Sequence, residues 1–240
     1  MASLIGKKID GFLIKENEFF RLEDADKTII TLMYLLLFLG IFLFYKNNAL
    51  YRAYVKEDGF IEWLTVIPLW FSADLSLKRF FRLRKKRNFG FLVILLFTSL
   101  IFIFGAGEEI SWGQRILNIK SPAFFMQYNR QPETNIHNLL VNGVKVNKLV
   151  FSLLLGIAIA IYLMIIPLLY QNKKSFKKFI DQYAIPIPRF GHIISFLIFA
   201  LIIKIYPEHA EKWELLEMAT AFTFMMILLN PLNRKIYDSD

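Results

Sequence analysis

The sequence predicts an all-α integral membrane bundle of about six transmembrane helices, with amphipathic helices in a long outer loop. Three observations carry that expectation. Apolar residues gather in runs close to the ~20 residues that cross a bilayer. The chain is 56% hydrophobic with 25 phenylalanines and a mean hydropathy of +0.44, whereas soluble domains are roughly 45–50% apolar. The cations sit in the short stretches between apolar runs, where they act as topology signals.

Composition also excludes some chemistry. There is no cysteine, so disulfides, thiolate catalysis and cysteine-based zinc or iron–sulfur sites are absent. The net charge is +9. Its placement between spans fits contact with anionic membrane lipid rather than nucleic acid. The first apolar run starts too late and continues too long for a cleaved signal peptide.

Three regions follow: a cytoplasmic amphipathic segment over 1–27, a six-helix transmembrane domain over 28–231 and a cytoplasmic tail over 232–240. Residues 1–27 mix Lys7, Lys8, Lys15, Arg21 and Lys27 with Leu4, Ile5, Phe12, Phe19 and Phe20, as in a helix lying on a membrane surface. The first span is 28–45, and a short polar connection over 46–60 carries Glu57 and Asp58. The second span, 61–77, contains Glu62, Trp63, Pro68 and Asp74. Its polarity suits a proline-kinked helix packed inside the bundle. Seven cations lie within 78–87, a topology signal and a candidate docking site for a cytoplasmic protein partner; homo-oligomers are a further option.

The third span is 89–106. Residues 107–148 form the longest connection. Residues 108–117 could continue the third helix. Ser121-Pro122 reads as a cap with a first-turn proline, and Pro132-Glu133 reads as a further helix start. The fourth span is 149–170, a basic stretch fills 171–190, and the fifth span is 191–206. The sixth, 213–229, has Glu214 and Glu217 inside it and ends at Asn230-Pro231.

With six spans both termini share one side, and 19 of the 29 Lys and Arg fall there. The positive-inside rule makes that side cytoplasmic. All three outer connections then deliver acids to the opposite face: Glu57, Asp58 and Glu62; Glu108, Glu109 and Glu133; Glu208, Glu211, Glu214 and Glu217. His137 and His209 join them. In helices, Asp58 and Glu62 would share a face, as would Glu133 and His137, and Glu108 and Arg115.

Charges near a bilayer are costly unless wet, paired or used. The sequence therefore offers Glu108, Glu109, Glu214 and Glu217 as catalytic acids or bases. Gln114, Arg115 and Trp112 are offered as substrate-binding groups, since arginine suits phosphate or carboxylate. Glu62, Glu133 and His137 are offered as ligands to a divalent metal ion, carboxylate and imidazole being suitable donors. The plainer readings are a solvated helix end for Glu108-Glu109 with Arg115 as partner, chance spacing for Glu133 and His137, and an interface belt for Trp63, Trp112 and Trp213. His192, alone on the other side, reads as structural.

These features support a metal-dependent enzyme acting on a lipid or lipid-linked substrate, a cation or proton transporter, or a non-catalytic subunit of a larger complex. The run Gly107-Glu108-Glu109-Ile110-Ser111-Trp112-Gly113-Gln114-Arg115, followed by Glu133-Thr134-Asn135-Ile136-His137-Asn138-Leu139, resembles a group of uncharacterised bacterial multi-span membrane proteins. Glu57-Asp58-Gly59 with Glu62-Trp63 resembles the same group. The resemblance implies the bacterial cytoplasmic (inner) membrane and brings no activity with it.

Overall fold

The computed structural model describes residues 18–56, 59–129, 131–141, 144–146, 150, 153–206 and 211–238. Most of the amphipathic segment, together with Glu57, Asp58, Glu208 and His209, lies outside the described residues.

The protein is helical, and four stretches are long and apolar enough to cross a membrane: Glu18–Lys46, Asn48–Leu83, Phe89–Glu109 and Leu155–Asn172. Helix α1, Asp24–Lys46, starts where Asp26 accepts the Glu23 backbone N–H at 3.1 Å. It exposes Leu35, Phe38 and Phe42 and buries Met33 and Leu37, the division expected between lipid and protein. The polar connection expected after it is largely a helix, α2, Asn48–Val55. Tyr51, Tyr54 and Val55 are buried on one face, and three-and-four spacing of that kind sustains a helix despite the intervening polar residues.

Helix α3, Phe60–Leu83, runs past the expected end of the second span and takes in the first cations of the basic cluster. Arg79 is buried because its guanidinium lies 3.9 Å from the centre of the Tyr237 ring, where cation–π attraction offsets part of the desolvation. Helix α4, Phe89–Glu109, is capped by Asn88, whose side chain accepts the Phe91 N–H. Helices α3 and α4 pack closely through small residues: Ser72, Ala73, Ser76 and Ser99 are buried, and the Ser99 hydroxyl donates to the Ala73 carbonyl at 2.9 Å. Small residues let membrane helices approach in this way.

The third helix does not continue to residue 117. Ser111, Trp112 and Gly113 take φ of 47°, 56° and 73°, and three left-handed residues in succession turn the chain back. Two short helices follow, α5, Gln114–Leu117, and α6, Ala123–Tyr128. The helix expected from Pro132 does not form. Residues 131–139 are turns, and a two-residue antiparallel ladder of β1, Leu140–Val141, with β2, Val144–Lys145, follows. Side chains from outside the segment take up its backbone donors, as described below.

Helices α7, Leu155–Ala160, and α8, Ile166–Asn172, are joined by a π-helical turn, Ile161–Ile165. Pro167 explains it: the ring lacks an N–H and crowds the carbonyl four residues back, so the preceding turn widens. Helix α9, Lys174–Gln182, packs Ile180 against Tyr170 and Ile187. Helix α10, Phe190–Ile205, is apolar but has only 16 residues. Helix α11, Lys212–Leu229, holds Lys212, Glu214 and Glu217 in its first turns, which keeps it below the apolarity of the other spans.

Helix α11 is nonetheless the centre of the molecule. Leu215, Met218, Ala219, Phe222 and Met226 are buried against Met33 and Leu37 of α1, Tyr51 of α2, Ile61 of α3 and Phe199 of α10. A helix enclosed by protein can carry acids that lipid would exclude. The bundle also has two distinct polar ends. At one, Asn230 donates to Asp26 at 2.9 Å, His192 Nε2 lies 3.3 Å from Asp26, and Arg189 donates to the Asn230 carbonyl at 3.0 Å. These contacts join the starts of α1 and α10 to the end of α11. The start of α3, the end of α4 and the start of α11 form the other.

Candidate functional site: an acid-lined cavity at one end of the bundle

The site is built on the reversal after α4. Gly107 is required by close approach, since a Cβ there would lie 2.8 Å from Trp112 Cε3. The Trp112 ring folds back over Gly107, and its Nε1–H donates to Glu108 Oε1 at 3.0 Å. Glu108 Oε2 accepts the backbone N–H of Ile136 at 2.6 Å and of His137 at 3.2 Å, and lies 3.8 Å from His137 Nδ1. One buried carboxylate thereby ties the end of α4 to the loop that failed to become a helix.

The following residues complete the tie. The Ser111 hydroxyl donates to Glu133 Oε2 at 2.7 Å and accepts from Asn135 Nδ2 at 2.9 Å. Gln114 Oε1 accepts the Thr134 N–H at 2.7 Å. Arg115 lies 3.3 Å from Glu133 and 3.9 Å from Glu62, so it bridges the loop to α3. It does not pair with Glu108, because the reversal removes the shared helical face that the seven-residue spacing assumed. Asn135, buried, also accepts from Asn129 Nδ2 at 2.8 Å and from the Asn138 N–H at 3.2 Å.

This packing leaves a cavity of about 30 Å³ lined by Glu62, Glu109, Gln131, Glu133, Asn135, His137, Asn138, Glu214 and Glu217. Five glutamates thus come to one space from α3, α4, α11 and the loop. Among the other carboxylates, Glu217 acts most strongly on Glu109, then Glu214, Glu62 and Glu108. The volume accommodates a water or a single ion and is far below the ~300 Å³ lower range of small-molecule pockets.

Among the described residues, Arg115 pairs with two of the lining acids, Glu133 and Glu62, and His137 lies against Glu108. Burial disfavours the His137 imidazolium, but the nearby Glu108 carboxylate and the fields of Glu217 and Glu62 outweigh burial, so its pKa is raised. Among the described residues, no three His, Asp or Glu side chains stand close enough to hold one ion.

Of the residues the sequence singled out, Glu62, Glu109, Glu133, His137, Glu214 and Glu217 line the cavity. Glu108, Trp112, Gln114 and Arg115 sit beside it and build the loop. Ser111, Asn129, Asn135 and Asn138 were missed. Their signal was the density of short amide and hydroxyl side chains in a segment without helical periodicity, the kind that satisfies buried loop backbone. Compared with protein-family models, curated proteins and solved structures, the chain shows no match, so its residues alone carry the functional reading.

Proposed function

We propose that the protein is a six-span membrane protein, both termini cytoplasmic, whose activity runs through a charge-compensated carboxylate centre on the opposite face. The observation that carries this reading is the convergence of Glu62, Glu109, Glu133, Glu214 and Glu217 on one cavity the size of an ion or a water. Arg115 and His137 balance part of that charge. Like charges brought into one low-dielectric space repel, so protons or a cation bound at the cavity would add to the balance that Arg115 and His137 begin.

Protons suit a small space lined by several carboxylates. The centre then works as an acid–base device: Glu109, Glu214 and Glu217 exchange a proton, and Glu62 and Glu133 hold Arg115. A divalent cation serves the same balance if the glutamates draw together around it. The substrate is the polar end of a lipid or lipid-linked molecule, admitted when the loop carrying Glu133 and His137 moves aside. Glu108, Trp112 and Gln114 position that loop.

A second reading is cation or proton passage. It is favoured by a buried stripe on α3, Glu62, Thr65, Ser72, Ser76 and Arg79, which runs from the cavity toward the other polar end. Each of its hydroxyls already donates to a helix carbonyl, so passage would use their free lone pairs.

Thermal unfolding of the purified full chain across pH, with and without added divalent cation, tests the shared centre. The midpoint should rise when protons or cation are supplied, and Glu109→Gln should blunt the response. A midpoint indifferent to both in the wild type would contradict the reading. Proteoliposome flux that depends on Glu217 selects passage, and an altered cellular lipid profile in Glu109→Gln selects the enzyme.

A further inference from the structure

At the bundle end away from the acid cavity, a groove of about 620 Å³ is lined by Arg87, Lys174, Lys177, Lys178, Asp181, Gln182 and Ile236. We infer that it is a binding site for the phosphate headgroup of an anionic membrane lipid.

Charge is the first argument. Four cations face one acid, and that acid is already engaged: Asp181 accepts from the Tyr170 hydroxyl at 2.9 Å, Lys177 at 2.9 Å and Asn233 at 3.1 Å. Lys174 and Lys178 form no ion pair among the described residues and are exposed. Arg87 donates one guanidinium N–H to the Asp238 carbonyl at 3.1 Å, while its enclosed Nε has no hydrogen-bond partner among the described residues. A phosphodiester supplies the oxygens that these donors lack.

Position is the second. The groove lies where α4 begins and α8 ends, at the ends of two membrane-length helices. Helix α9 lies across it with Phe176 and Ile180 turned into the protein and lysines outward, the arrangement of an interfacial helix. Phe89 and Phe179 are exposed beside the cations, Phe89 at 83%, and apolar rings at that level meet acyl chains rather than water. Basic grooves at the ends of spans are suited to lipid headgroups.

Native mass spectrometry of the detergent-solubilised full chain tests this with phosphatidylglycerol, phosphatidylcholine and inorganic phosphate as probes. Phosphatidylglycerol should be retained over phosphatidylcholine. Lys174→Gln with Lys178→Gln should weaken that retention by about thirtyfold, the scale of two cations at a membrane surface. Lys46→Gln with Lys56→Gln, at the other end, should leave it unchanged. Both pairs are exposed, and equal unfolding midpoints would show that the fold is intact. Equal retention of the two lipids, retention unaffected by the Lys174 and Lys178 replacements, or inorganic phosphate held as firmly as the lipid would each overturn the proposal.

Discussion

At the scale of single residues, the reversal after α4 depends on atoms in close contact. Gly107→Ala would put a methyl group 2.8 Å from the Trp112 ring. The ring cannot stay over Gly107 and still donate to Glu108, so we expect a loss of about 1–3 kcal/mol and a changed Trp fluorescence, both read in denaturant titrations. His137 gives a pH signature. Its pKa is raised in the folded protein, so its stabilisation is complete below the ordinary value near 6.5 and fades as pH rises through the folded value. Hydrogen exchange at the Ile136 and His137 amides should therefore quicken with pH beyond the intrinsic trend, and His137→Gln should remove that excess.

Residue chemistry was also the most legible part of the sequence. Glu62, Glu109, Glu133, His137, Glu214 and Glu217 could be named because acids beside apolar runs are conspicuous. Their roles relative to Glu108 could not. Glu108 and Glu109 are adjacent and chemically identical, and only the left-handed turn at residues 111–113 turns one into a loop anchor and the other into a cavity wall. A non-glycine residue at positive φ, such as Trp112, has no sequence signal of its own.

At the scale of elements, the loop over 131–139 is a structure held by side chains. Glu108→Ala would take this acceptor from the Ile136 and His137 backbone N–H groups and from Trp112 Nε1–H, at a cost of about 1–3 kcal/mol. The loss should be local, seen as faster exchange across 131–139 with the helices unchanged. The opposite end has a comparable tie in Asp26, His192 and Asn230, all buried. Asp26→Ala strands a buried imidazole and amide and should cost about 3 kcal/mol, measured as a lowered unfolding midpoint. The long apolar runs pointed to membrane-length helices, four of which the structure holds, but not to where α3 ends. The loop and this tie were not legible, since both depend on partners more than 20 residues away; Asp26 and Asn230 are 204 apart. His192 was read as structural but alone, and it is the partnership with Asp26 that gives it its place.

At the scale of the whole molecule, α11 explains why a hydropathy reading and the structure differ. Its acids make it look like a poor span, yet α1, α2, α3 and α10 enclose it, and its first turns place Glu214 and Glu217 on the cavity. The bundle is organised so that a helix enclosed by protein carries acids to the cavity. In the function proposed above, these carboxylates form one energetically coupled centre. A double-mutant cycle on Glu109→Gln and Glu217→Gln, measured as unfolding free energy of the full chain in metal-free detergent near neutral pH, tests it most directly. We expect each replacement to relieve repulsion and the pair to gain at least about 1 kcal/mol less than the sum of the singles. Gains that add within about 0.5 kcal/mol would show that Glu109 and Glu217 act independently and would contradict the claim.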